Sequence, residues 1–131
     1  MRVLVCGGRD FGIDMFGHYD ERRFIFNYLD CAWTRETYSV LTIIQGGAKG
    51  ADNTAKDWAD ANYVACWEFP ANWPKYGKSA GYIRNKQMLI EGKPDLVIAF
   101  PGGKGTANMV RLAKEAGVEV IEVSYGKSVV D

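Results

Sequence analysis

The sequence predicts an α/β fold, namely a Rossmann-like, doubly wound sheet of about five parallel strands with helices on both faces. Five short apolar runs are rich in Val, Ile and aromatic residues, and helix-period segments lie between them. A helix between two parallel strands implies a right-handed crossover. Since the chain has 131 residues and no linker or repeat, we expect one domain over residues 1–131.

The five apolar runs are too short for helices and are therefore predicted to be strands. In chain order they span residues 2–6, 40–44, 63–69, 95–100 and 118–123. Most are continuously apolar, which is typical of strands that are covered on both faces. Every gap between successive runs is long enough for one crossover helix.

Four helices are predicted between these strands from apolar residues at helical spacing. The first is indicated by Ile25, Tyr28, Leu29, Ala32 and Trp33, the second by Ala51, Thr54, Ala55, Trp58 and Ala59, and the last by Thr106, Met109, Val110 and Ala113. Residues 80–90 are predicted to be the remaining helix. Segments 11–19 and 70–79 are predicted to be irregular connections, and Trp33, Trp58 and Trp67 are assigned to the core.

Composition excludes several classes of protein. Sixteen Lys and Arg balance 16 Asp and Glu, which weighs against nucleic acid as a partner. No apolar run approaches the roughly 18 residues of a membrane span, and no secretory signal is evident, so we expect a cytoplasmic protein without a membrane partner. Three cysteines without metal-like spacing and a single histidine predict no metal site, and no cofactor is expected. The cysteines are interpreted as buried apolar residues.

Glycine is the most informative residue type. Eight of the 15 glycines form three clusters, each directly after a predicted strand and close to a predicted helix. The clusters are Gly7 and Gly8, then Gly46, Gly47 and Gly50, and finally Gly102, Gly103 and Gly105, which Pro101 and Thr106 flank. Each cluster carries one cation, which is Arg9, Lys49 or Lys104 in turn. Because the carboxyl ends of parallel strands share one edge, this pattern predicts a phosphate site there. The alternative is that the glycines only make tight turns.

Two common nucleotide motifs are absent. No segment matches the Walker A pattern, and a G-x-G-x-x-G pattern that starts at Gly103 has Asn108 in place of its third glycine. An ordinary ATPase or NAD-dependent dehydrogenase is therefore disfavoured.

The connection 70–79 and the helix after it supply further candidate ligand contacts. Trp73, Tyr76 and Tyr82 are expected to stack on a base, whereas Lys78, Arg84 and Asn85 are expected to reach a phosphate or a ribose. The alternative for the aromatic rings is that they cover the edge of the core. Asp10 and Asp52 are candidates for ribose hydroxyls or acid–base chemistry, and equally for helix caps.

Four sequence blocks in order resemble the YspA/YpsA-related branch of the SLOG superfamily, which also includes DprA (Smf) and the LOG phosphoribohydrolases. These blocks are G-G-R-D, G-G-A-K-G-A-D, F-P-A-N-W with A-G-Y-I-R-N, and A-F-P-G-G-K-G-T. The resemblance implies a Rossmann-like fold that binds nucleotides or nucleotide-derived signals, such as NAD- or ADP-ribose-type molecules. LOG enzymes hydrolyse N-glycosidic bonds with an Arg, whose position looks like Arg84, and a Glu, whose position is Met109 here.

We therefore expect a domain that binds a small nucleotide ligand and senses or sequesters it. A LOG-like nucleotide phosphoribohydrolase is the first alternative, with Arg84, Asp52 and Asp10 as its catalytic residues. The second is a single-stranded nucleic-acid module, in which Arg9, Lys49, Lys78 and Lys104 form a basic patch. Relatives with this fold often self-associate, so we expect a homo-oligomer, either a dimer or a tetramer.

Overall fold

The computed structural model describes residues 1–12 and 20–125, in which five parallel strands form a single sheet. The strands are β1 (Arg2–Cys6), β2 (Thr42–Gln45), β3 (Ala65–Glu68), β4 (Leu96–Ala99) and β5 (Glu119–Glu122). Their order across the sheet is β3-β2-β1-β4-β5, and each neighbouring pair is parallel. The predicted fold class is confirmed.

In the described part of the chain, five α-helices lie between the strands. They are α1 (Asp20–Ala32), α2 (Ala51–Ala61), α3 (Trp73–Tyr76), α4 (Ala80–Gly92) and α5 (Lys104–Glu115). Short 3₁₀ turns occupy Arg35–Val40 and Gly77–Ser79. Among these described residues, no helix is both long enough and apolar enough to cross a membrane.

The prediction of an irregular segment over residues 70–79 is wrong for its second part, which holds α3 and a 3₁₀ turn. Asn72 starts α3, because its side-chain oxygen accepts a 3.2 Å hydrogen bond from the Lys75 amide. Pro74, whose φ already suits a helix, follows in the first turn. Residues 13–19 of the other predicted irregular segment lie outside the described residues.

Alternate residues of the central strands face two separate hydrophobic cores. Val3 and Val5 of β1 pack with Trp58 and other residues of α1 and α2, whereas Leu4 packs with Met109 and other residues of α4 and α5. Both faces of the sheet are therefore covered, as predicted for a doubly wound fold.

The edge strands β3 and β5 depart from the prediction that strands are covered on both faces. Trp67 of β3 is 39% exposed, so its assignment to the core is wrong, and the Arg2 guanidinium lies 4.6 Å from its ring. The reason is that an edge strand has a neighbour on one side only. Cys31 is likewise exposed and Cys66 half-buried, so of the three cysteines only Cys6 is buried as expected.

The strand order creates a crevice between β1 and β4. The chain leaves β1 toward β2 on one side of the sheet and returns to β4 on the other. Helices α1 and α2 pack on one face, and α4 and α5 pack on the opposite face. Connections that diverge in this way leave an opening at the carboxyl ends of the strands, where open α/β sheets bind their ligands.

Candidate functional site

A cleft of about 640 Å³ opens at the carboxyl ends of β1 and β4, a volume typical of small-molecule sites. It brings together most of the residues that the sequence predicts for a site. These are Gly7, Gly8, Arg9, Asp10, Asp52, Trp73, Lys78, Tyr82, Arg84, Asn85, Pro101, Gly102, Gly103, Lys104, Gly105 and Thr106.

A second cavity of about 560 Å³ shares five lining residues with the first, namely Arg9, Asp10, Ala48, Trp73 and Arg84. The predicted residues Gly46, Gly47 and Lys49 line this second cavity. The indole of Trp73 is 46% exposed where the two cavities meet, with the Arg9 guanidinium 5.9 Å from its ring. Two predicted residues, Gly50 and Tyr76, line neither cavity.

The floor of the cleft is formed by close contact between glycine loops. The Gly8 amide donates a 2.8 Å hydrogen bond to the Pro101 carbonyl, and a Cβ atom on Gly102 would lie 2.6 Å from that same amide nitrogen. A Cβ atom on Gly7 would lie 2.6 Å from Cβ of Ala51. Glycine is needed at positions 7 and 102 because a Cβ atom there would collide with Ala51 or with Gly8 and Thr106.

The third glycine loop presents free amides at the start of α5. Gly103 precedes this helix, and no side chain caps it. Within the described part of the chain, the first backbone hydrogen bond of α5 runs from Ala107 to the Gly103 carbonyl. The amides of residues 104–106 therefore lack helical acceptors, and they carry the partial positive charge of a helix N-terminus.

The second glycine loop uses its amides internally. Gly46 and Ala48 donate hydrogen bonds of 3.1 and 3.2 Å to Oδ2 of Asp52, and Gly47 donates a 2.6 Å hydrogen bond to Oε1 of Gln45. The Ala51 amide, at the start of α2, donates to the Gly8 carbonyl. These donors are therefore not free for an anion.

Asp52 is 5% exposed and lies at the wall of the cleft. Burial raises its pKa from the ordinary value of 3.8 to about 6, while the two loop amides and the nearby Arg84 favour the charged form. Burial also raises the pKa of the Cys6 thiol, which makes a thiolate nucleophile unfavourable there. Asp52 is thus a carboxyl group that titrates close to neutral pH.

Arg84 is held in place by protein contacts. Its guanidinium donates hydrogen bonds to the Gly46 carbonyl and, at 3.1 Å, to Oδ1 of Asn85. The buried Asn85 in turn donates to the Gly105 carbonyl and to Oδ1 of Asn108, both at 3.0 Å. Burial lowers the pKa of Arg84, an effect that the charge of Asp52 opposes. Asn85 therefore ties Arg84 to the start of α5.

One charged residue of the cleft, Glu21, was not predicted from the sequence. It lies in the first turn of α1, and its Oε1 atom accepts a 3.0 Å hydrogen bond from the Gly12 amide. No motif surrounds it in the sequence, and the chain before it has no regular pattern. Met109, at the position of the LOG glutamate, is fully buried in the core under α5.

The described residues hold no group of three or more His, Cys, Asp or Glu side chains that could bind a metal ion. Asp52 does not belong to such a group, and its carboxylate accepts hydrogen bonds from two backbone amides.

Comparison with known proteins gives one family and two relatives. The family model described as "YspA, cpYpsA-related SLOG family" matches residues 1–76. Gene 61 protein of Mycobacterium phage D29 is 34% identical over 127 residues, which cover 92% of this chain and 94% of that protein. NAD kinase 1 of Streptomyces coelicolor is 32% identical over 92 residues, which cover 67% of this chain but only 24% of that enzyme.

Proposed function

The chain belongs to the YspA, cpYpsA-related SLOG family, and we propose that it binds a nucleotide or a nucleotide-derived signal in the cleft between β1 and β4. In this proposal the domain senses or sequesters its ligand. The observation that carries it is the uncapped start of α5, which faces a cavity large enough for a nucleotide. A relative whose name includes NAD, itself a nucleotide, adds support.

In this proposal, the phosphate of the nucleotide lies at the start of α5. Free amides at a helix N-terminus, with a glycine loop before them, are a common anion site in proteins. Lys104 adds a full positive charge in the same turn, and Lys78 and Arg84 line the cleft from the α4 side. The second glycine loop does not bind the phosphate in this proposal, because its amides already donate hydrogen bonds to Asp52 and Gln45.

In this proposal, the base of the nucleotide stacks on an exposed aromatic ring. Trp73 is 46% exposed and Tyr82 is 45% exposed, and both line the cleft. Tyr76 is exposed as well but lines neither cavity. Flat aromatic rings at the mouth of a polar cleft suit base stacking, so Trp73 and Tyr82 are preferred over Tyr76.

A second candidate function is hydrolysis of a nucleotide N-glycosidic bond. Asp52, with a pKa of about 6, lies near Arg84 in the same cleft. A carboxyl group that titrates near neutral pH suits proton transfer, either to the leaving base or from the attacking water. The buried Met109 supplies no second carboxylate. Release of free base from nucleoside monophosphates or NAD, abolished by Arg84→Ala, would support this function.

Calorimetric titration tests the binding proposal. The panel comprises ADP-ribose, NAD and the nucleoside 5′-monophosphates. We expect at least one Kd below about 1 mM, equivalent to about −4 kcal/mol. Lys104→Ala should weaken that binding about threefold to tenfold, whereas Lys114→Ala, at the far end of the same helix, should leave it unchanged. Absence of binding across the panel would contradict the proposal.

A further inference from the structure

Most charges of the cleft are divided between the two layers of helices, although the Arg84 guanidinium reaches the Gly46 carbonyl and lies near Asp52. Lys78, Arg84 and Lys104 come from α4, the turn before it and α5 on one face of the sheet. Glu21 and Asp52 come from α1 and α2 on the opposite face. The other charged residues of the lining, Arg9 and Asp10, are neighbours in the loop after β1 and oppose one another in charge.

This division selects a ligand with two unlike ends. An anionic group is attracted to the α4 and α5 side, whereas the Glu21 carboxylate on the other side repels a second anionic group. Asp52 adds little to this repulsion, because it is nearly fully buried and Arg84 lies near it. The end of the ligand that faces α1 must therefore be uncharged or cationic, and it must donate hydrogen bonds, because a carboxylate only accepts them. Sugar hydroxyl groups meet this requirement, whereas an extended polyphosphate does not.

Of the two carboxylates, Glu21 is the better placed to accept hydrogen bonds from a ligand. Asp52 is nearly fully buried, and its Oδ2 atom already accepts two loop amides. Oε1 of Glu21 is fixed by the Gly12 amide. The described hydrogen bonds leave its Oε2 atom without a donor. A carboxylate that the backbone holds in place accepts further hydrogen bonds with little loss of side-chain entropy.

We infer that Glu21 accepts hydrogen bonds from the 2′- and 3′-hydroxyl groups of a ribonucleotide whose phosphate lies at the start of α5. The inference rests on the proposed function and narrows its ligand to ribonucleotides with a free vicinal diol. Glu21 is then the residue that distinguishes ribose from deoxyribose. The distinction follows because a deoxyribonucleotide offers only one of the two donors.

Two sets of probes test the inference, namely the four ribonucleoside 5′-monophosphates and their four 2′-deoxy counterparts. They are titrated into the wild-type chain, Glu21→Gln and Glu91→Gln. The glutamine at position 21 retains an oxygen for the Gly12 amide, so the loop keeps its hydrogen bond. Glu91 lies near the end of α4, outside the cleft lining, and serves as the control.

We expect the wild type and Glu91→Gln to bind the best ribonucleotide about tenfold more tightly than its deoxy counterpart, a factor typical of one hydrogen bond to a charged group. Glu21→Gln should reduce this ratio to about twofold, and it should weaken binding of the deoxynucleotide less than binding of the ribonucleotide, because the deoxynucleotide loses only the hydrogen bond of its 3′-hydroxyl group. Equal wild-type affinities, or a ratio that survives in Glu21→Gln, would overturn the inference alone. Failure of all eight probes to bind would overturn the inference, and failure of ADP-ribose and NAD to bind as well would overturn the proposed function with it.

Discussion

Gly8 and Gly102 follow different strands, yet they approach so closely that a Cβ atom on Gly102 would lie 2.6 Å from the Gly8 amide nitrogen. The Gly8 amide also donates a 2.8 Å hydrogen bond to the Pro101 carbonyl. The two loops that diverge at the crevice are thus joined at its base. This contact sets the floor of the cleft and leaves the start of α5 open above it.

Gly102→Ala should destabilise the chain, because its new methyl group meets the Gly8 amide and the Thr106 side chain. We expect the free energy of unfolding in urea to fall by about 1–3 kcal/mol, as for other overpacked sites. Gly103→Ala is the matched control, since nothing lies within 4 Å of its added Cβ atom. Equal losses of stability in the two variants would contradict the described packing.

Gly47→Ala should change stability without changing ligand affinity. Gly47 has a φ of +78°, a conformation that costs an alanine about 1–2 kcal/mol. The amides of its loop are bonded to Asp52 and Gln45 rather than free. Calorimetry on the folded variant should therefore give a Kd within about twofold of the wild type. A much weaker Kd would show that this loop also holds the phosphate.

Arg84→Ala should weaken nucleotide binding about tenfold, a loss typical of one charge-assisted hydrogen bond. Asn85→Ala should cause part of the same loss, because Asn85 accepts a hydrogen bond from Arg84 and bonds the Gly105 carbonyl. Lys86→Ala is the control, since Lys86 is exposed on the same helix outside the cleft lining. Unaltered affinity in Arg84→Ala, measured by calorimetry on folded protein, would remove Arg84 from the site.

Asp52 should make the stability of the fold depend on pH. Its pKa rises from 3.8 to about 6 on folding, so the folded chain holds this proton more tightly than the unfolded chain. Proton binding at Asp52 therefore stabilises the folded state. This contribution is complete below about pH 4 and is lost as the pH rises through about 6. The rise in pKa corresponds to about 3 kcal/mol.

Asp52→Asn removes this titration and keeps an oxygen that accepts the loop amides. Its free energy of unfolding, relative to the wild type, should therefore increase between pH 4 and pH 7.5 by up to about 3 kcal/mol. Urea unfolding at several pH values measures the difference. A difference between the two proteins that stays constant across this range would show that Asp52 does not titrate there.

The sequence predicts the sheet well because central strands must be apolar on both faces. Leu4 and Val97, for example, stand in continuous apolar runs and are buried as expected. Edge strands carry a similar composition but only one neighbour, and Trp67 is therefore exposed. A run of apolar letters does not reveal the position of a strand in the sheet, which depends on the order of all five strands.

The glycine clusters point to the edge of the sheet at which the cleft opens, but they do not reveal which amides are free. That distinction depends on where distant side chains lie, as Asp52 does when it accepts the Gly46 and Ala48 amides. Glu21 shows the same limit, because only the packing of α1 brings it to the cleft. Residue type and local spacing thus predict where the candidate site lies, whereas tertiary packing decides which of its polar groups are already bonded within the chain.

Backbone amide chemical shifts test the central claim most directly. A ¹⁵N-labelled sample is titrated with ADP-ribose and with the nucleotide that binds best in calorimetry. A phosphate at the start of α5 should produce the largest shifts at the amides of residues 103–106 and smaller ones at residues 46–48, whose amides are already bonded within the chain. Largest shifts at residues 46–48, or none at residues 103–106 when the ligand is saturating, would contradict the account.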